Sequence, residues 1–252
     1  MSEDNIFEQA QDLAEKIRSK LKLGSSPIKN IFSLLEDQGL FVLRMPIGGD
    51  SLSGAFYYDK TKENSKILIN SNRSNGHQIF TAAHEFCHYL LDKDEQIIIE
   101  HDNQVKSPLE KRADAFAANF LIPEEGVRLY TNKVLNKTKK LDDYDLVRLR
   151  EEFKTSWSAL IYRLHNLGYI FDKGYQSKVK EIFRLNSKAM QLGLDPETSS
   201  QVGQYAFPSD YYRLAFSAYF DGKITLNRLS DLLRQSQEDT KELVSKIKSA
   251  HE

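Results

Sequence analysis

Residues 80–92 read Phe80-Thr81-Ala82-Ala83-His84-Glu85-Phe86-Cys87-His88-Tyr89-Leu90-Leu91-Asp92. The pattern inside them is H-E-x-x-H. An α-helix turns about 100° per residue, so His84 and His88 sit about 40° apart on one face, one turn from each other. Two neutral imidazole nitrogens at that spacing can reach one Zn²⁺, with Glu85 at the edge of the same face. The flanking Ile79, Phe80, Ala83, Phe86, Cys87, Leu90 and Leu91 are apolar, which predicts a buried helix, running from about Asn75 to Leu91. Cys87 falls on the side away from the histidines and reads as a small core residue rather than a ligand or nucleophile.

Upstream, Ile6, Ala10, Leu13, Ile17 and Leu21 recur three to four residues apart among charges, an amphipathic helix over 3–22 that ends near Gly24 and Pro27. A second helix is predicted over 28–38, stopped by Gly39. Three strands follow, at 40–45, 54–58 and 66–70, the last two joined by a polar loop. They predict a small antiparallel sheet ahead of the motif helix. In many zinc peptidases an edge strand of such a sheet aligns the substrate as one more strand.

Downstream, 92–107 is polar except for Ile97-Ile98-Ile99, a short strand or a buried tether. Pro108 opens the next helix in the first-turn position that proline favours. That helix carries Glu110 and Asp114, four apart on one face, and the small residues Ala113, Ala117 and Ala118, which permit close approach to the motif helix. A catalytic zinc needs three protein ligands and an open position, so either carboxylate is a candidate third ligand.

The runs from Thr81 to Leu91 and from Glu110 to Pro123 together resemble the ImmA/IrrE family of metallopeptidases, which writes them roughly as R-x-x-F-T-x-A-H-E-x-x-H and E-x-x-A-[ND]-x-F-A-x-x-L-[LM]-P. The strand end Ile69-Asn70 and the run from Ser156 to Gly168 also fit, so the resemblance covers about 25–170. It implies zinc held by His84, His88 and Glu110, with Glu85 as general base in peptide hydrolysis. Asp114 stands where the family often has Asn, a poor zinc ligand, so its implied role is to orient a histidine through the ring N–H. Gln78-Ile79 replaces the more usual basic residue ahead of Phe80, and Phe86-Cys87 the common Leu-Gly. A polar insertion also separates the two motifs. None of these removes a ligand. For an oxyanion donor, His101 and Tyr130 are candidates.

The resemblance implies an α+β fold, a mainly helical zincin-like domain over 1–172, with a helical C-terminal region over 173–252. Residues 124–140 read as a charged, flexible stretch. Helices are expected over 142–153 and 157–167, with Ser156 as N-cap, and this pair resembles a helix-turn-helix. Its Trp157, Leu160, Ile161 and Leu164 look like core, which favours packing over DNA readout. His165 reads as a partly exposed helix residue. A basic stretch at 173–180 suggests a hinge, and helices are expected over 182–192, 211–220, 224–233 and 237–252.

Composition bounds the functions. Thirty-five basic against thirty-six acidic residues leave a net charge of −1, which argues against a generally nucleic-acid-binding surface. No apolar run approaches the ~18 residues of a membrane span, and the acidic N-terminus lacks a signal-peptide core. A single cysteine suits a reducing cytoplasm. The expectation is a cytoplasmic zinc endopeptidase. Its substrate, by resemblance, is a helix-turn-helix repressor encoded nearby. Two alternatives stay open: a non-catalytic, partner-binding protein that keeps the fold, and a DNA-binding regulator using 142–168.

Overall fold

The computed structural model describes residues 3–48, 52–101, 106–138, 141–170, 179–194, 196 and 204–249. In chain order the elements are α1 (Glu3–Lys20), α2 (Ile31–Asp37), β1 (Phe41–Met45), β2 (Leu52–Asp59), β3 (Asn64–Asn70), α3 (Asn75–Leu91) and β4 (Ile97–His101). They continue with α4 (Pro108–Leu121), α5 (Glu124–Thr138), α6 (Asp143–Phe153) and α7 (Trp157–Asn166). The last four are α8 (Ile182–Gln191), α9 (Ser209–Phe220), α10 (Leu226–Leu233) and α11 (Gln237–Ser249). The architecture is α+β and mainly helical, as expected.

The sheet order is β1-β3-β2-β4. β2 pairs antiparallel with both β3 and β4, but β1 runs parallel to β3, with Met45 opposite Asn70. The sheet is therefore mixed rather than antiparallel. Both edges of β2 are taken, so β1 adds at the outer edge of β3, and after the β2–β3 reversal the two run the same way. Asn70 ties off this end: its side-chain oxygen accepts from Ile47 N at 3.2 Å and its amide donates to Leu52 O at 2.8 Å. Of the three isoleucines of β4, Ile98 packs against the core while Ile97 and Ile99 are half exposed, so this segment is a strand rather than a buried tether. The outer edge of β1 carries a two-bond bridge from Arg44 to Ala206, placing the start of the last helical unit against the sheet.

α3 lies across β2 and β3, and α4 packs between α3 and α1. The apolar periodicity of α1 survives in the structure as buried Ile6, Ala10 and Ile17, joined by Ala14. Arg18 on the same face donates to the carbonyls of Phe120, Gly24 and Ser26, and Arg163 to Ile122. The two arginines so satisfy carbonyls at the end of α4, which a helix C-terminus otherwise leaves open. Where the sequence reads as flexible, at 124–140, the chain forms α5 over Glu124–Thr138. Its buried Val127 and Thr131, four apart, give it one inward face despite its many charges.

The α6–α7 pair is buried at its turn. Thr155 is 1 % exposed, and a side-chain carbon on Gly76, at the start of α3, would lie 2.7 Å from Ser156 N. Trp157, Leu160, Ile161 and Leu164 all face the core, so α7 packs inward instead of presenting an apolar recognition face. Trp157 Nε1 donates to Asn186 on α8, and Arg184 and Lys188 hold Asp143, so α8 is fastened to α6. α9 to α11 form a smaller cluster around Ala215, Leu229, Leu233 and Val244. No described helix is long and apolar enough to cross a membrane.

Candidate metal centre

α3 starts at a Ser74 cap and buries its whole middle, from Gln78 and Thr81 to His88. His84, Glu85 and His88 are fully buried. The two imidazoles meet edge to face, with Nε2 atoms 3.2 Å apart. α4 begins at Ser107, whose side chain accepts from Glu110 N, and Pro108 occupies the first turn. This cap fixes the first turn of α4, so Glu110 projects at the pair: one carboxylate oxygen is 2.9 Å from His84 Nε2 and the other 3.7 Å from His88 Nε2. The helices stay close because Ala113 and Ala117 face inward, while Phe86 of α3 packs on Phe116 and Phe120 of α4.

The far side of each ring is held as well. His84 Nδ1 lies 3.0 Å from Asp114 Oδ1, and His88 Nδ1 lies 2.7 Å from Asp92 Oδ2. Lys106 Nζ contacts the other Asp114 oxygen at 2.5 Å, and Arg112 Nη2 the other Asp92 oxygen at 2.5 Å. Burial alone would raise the carboxyls of Asp92, Asp114 and Glu110. Hydrogen bonds and charge from the histidines, with Arg112 on Asp92 and Lys106 on Asp114, hold all three below the usual carboxylate range.

These contacts fit a cation. Carboxylates accept, so each Nδ1 keeps its proton against Asp114 or Asp92, and with a cation in place of any Nε2 proton the Nε2 lone pairs face each other and Glu110. Three acceptors that converge in a buried place repel unless a positive charge sits among them. A tetrahedral ion with N and O ligands at about 2.0–2.1 Å needs its ligand atoms about 3.3 Å apart. Here the two Nε2 atoms are 3.2 Å apart, and the Glu110 oxygens lie 2.9 Å (Oε2) from His84 Nε2 and 3.7 Å (Oε1) from His88 Nε2, close to that spacing. The same three side chains form the one group of potential metal ligands found among the described residues.

Glu85 leaves α3 one residue after His84 and faces β2. At Gly54, opposite it, a side-chain carbon would stand 2.8 Å from Glu85 Oε1 and 2.4 Å from Thr81 Cγ2, so the strand is pressed onto the helix where only glycine fits. Cys87 is fully buried against Arg112; burial pushes its thiol up to about 12, against a lowering by Arg112. Tyr130 sits among charges of α6, with Asp145 and Arg148 its main electrostatic neighbours, rather than at the metal group. His101 ends β4 opposite Leu52, and its side chain lies outside the described residues. His165 is on α7, partly exposed, as expected.

The sequence reading passed over Asp92, Lys106, Arg112 and Gly54. Only Asp92 left a local signal: it follows His88 by four residues and so shares its face. Residues 35–165, slightly more than half of the chain, match the family profile of the IrrE N-terminal-like domain (Peptidase_M78). No curated protein matches the chain.

Proposed function

The chain belongs to the IrrE N-terminal-like family of metallopeptidases, and from that premise and the geometry above we propose that it is a zinc-dependent endopeptidase cutting a specific protein partner. The observation that carries this reading is the convergence of His84, His88 and Glu110, with the buried Glu85 next to His84 in the chain. Such a set leaves a fourth position free for a small molecule, as hydrolytic zinc sites do and closed structural ones do not. A bound zinc supplies Lewis acidity, making water acidic near neutral pH and polarising a carbonyl.

The remaining steps belong to the chain. Glu85 takes a proton from the attacking water and returns it to the leaving nitrogen as the peptide bond breaks. Asp114 and Asp92 hold the imidazoles in the tautomer that presents Nε2. β4 is an edge strand, and its outer side offers an extended peptide a place to pair. We take the substrate to be a helix-turn-helix repressor encoded next to the chain's own gene, which places the reaction in the cytoplasm.

The test is incubation of the purified repressor with wild-type protein and with Glu85→Gln. Wild type should cut it at one site, and the variant should keep its zinc but lose cleavage. Cleavage retained by Glu85→Gln overturns the assignment of the base.

A further inference from the structure

Behind His88, on the side away from the converging Nε2 atoms, a chain of charged contacts runs from one helix to the other. Asp92 is the C-cap of α3 and is 7 % exposed. One of its oxygens faces His88 Nδ1 at 2.7 Å and the other accepts from Arg112 Nη2 at 2.5 Å. Arg112 is on α4, two residues beyond Glu110. The contact therefore closes a loop: α3 supplies His88 and Asp92, α4 supplies Arg112 and Glu110, and both ends meet at the metal group.

We propose that Asp92 and Arg112 are a positioning pair, in which Asp92 fixes His88 with Nε2 bare while Arg112 locks Asp92 and, through α4, the placement of Glu110. The inference rests on the metallopeptidase reading above. A planar guanidinium suits this post, because it forms directional bonds to a carboxylate oxygen and keeps its charge at any working pH. A buried carboxylate left without its cation is costly, so Arg112 and Asp92 act as one unit. The arm behind His84 is built differently. Its cation, Lys106, precedes the α4 cap and is 37 % exposed at its side chain, against 19 % for Arg112. The His84 arm reaches α4 directly through Asp114, with Lys106 adding only a flexible ammonium outside the helix, whereas in the His88 arm Asp92 belongs to α3 and Arg112 is the group that ties it to α4.

The test uses full-length wild type, Asp92→Asn, Arg112→Gln and the double variant, each zinc-loaded and titrated with a chromophoric chelator. The zinc dissociation constant should rise roughly ten- to a hundredfold in each single variant. The double variant should lose about as much as the single variant with the larger loss, and less than the sum of the two, since Arg112 acts through Asp92. Nitrogen-15 shifts of the His88 ring in metal-free protein should report the Nδ1–H form in wild type and a shift toward Nε2–H in Asp92→Asn, with the His84 ring unmoved. Arg112→Lys keeps the charge and fold and should fall between wild type and Arg112→Gln. Unchanged affinity, or additive losses with an unmoved His88 tautomer, overturns the pair. A wild type that takes no zinc sinks the metallopeptidase reading instead, and the ring shifts still judge the pair by themselves.

Discussion

Replacing Gly54 by alanine adds one methyl where the fold has no space for it. The new carbon would lie 2.4 Å from Thr81 Cγ2, 2.8 Å from Glu85 Oε1 and 3.2 Å from Leu68 O. Thr81 and Glu85 are fully buried and Leu68 O is backbone of the paired strand β3, so no exposed side-chain end can swing aside. Carbon atoms prefer separations near 3.5–4.0 Å, so β2 must part from α3 by about 1 Å. Overpacking of this kind costs about 1–3 kcal/mol. With a urea slope of roughly 2 kcal/mol per molar, the unfolding midpoint should fall by about 1 M. The displacement also falls on Glu85, so cleavage should drop further than the unfolded fraction explains, while zinc stays bound. Adding Thr81→Ser removes the shortest contact, so the double variant should regain most of the stability yet stay slow. A Gly54→Ala protein with wild-type midpoint and rate would refute the packing of β2 on α3 at Glu85.

Other outcomes follow from the same interior. Phe120→Ala empties a fully buried site between Phe86 and Phe116 and should cost about 3–5 kcal/mol in denaturation, with weaker zinc retention as α3 and α4 loosen. Cys87 should resist a thiol reagent at pH 8 in the folded protein and react at once in denaturant, because the fully buried thiol keeps its proton. Ile99→Thr, on the half-exposed face of β4, should leave stability within about 0.5 kcal/mol.

What the sequence disclosed was whatever leaves a short period. His84 and His88 share a helix face by spacing, and the Ala-rich helix after Pro108 announced a close partner for it. Asp114 was expected to orient a histidine, and in the structure it faces His84 Nδ1 at 3.0 Å. The rest depends on pairings with no local trace. Nothing in 41–45 says that β1 will run beside β3, because that follows from β4, about fifty residues later, taking the other edge of β2. α5 hid because, among its described side chains, the buried ones are Val127 and Thr131, set amid charges. Gly54 reads as any strand glycine until α3 is laid over it, and Arg112 as one more surface cation until Asp92 arrives at the end of α3.

The most direct trial of the central claim is metal content per chain by elemental analysis, for wild type and Glu110→Ala after both are offered zinc and desalted. His84, His88 and Glu110 acting together predict close to one zinc per wild-type chain and a marked fall in the variant. Wild-type protein that holds no zinc after loading, or a Glu110→Ala variant that holds as much as wild type, would contradict the account.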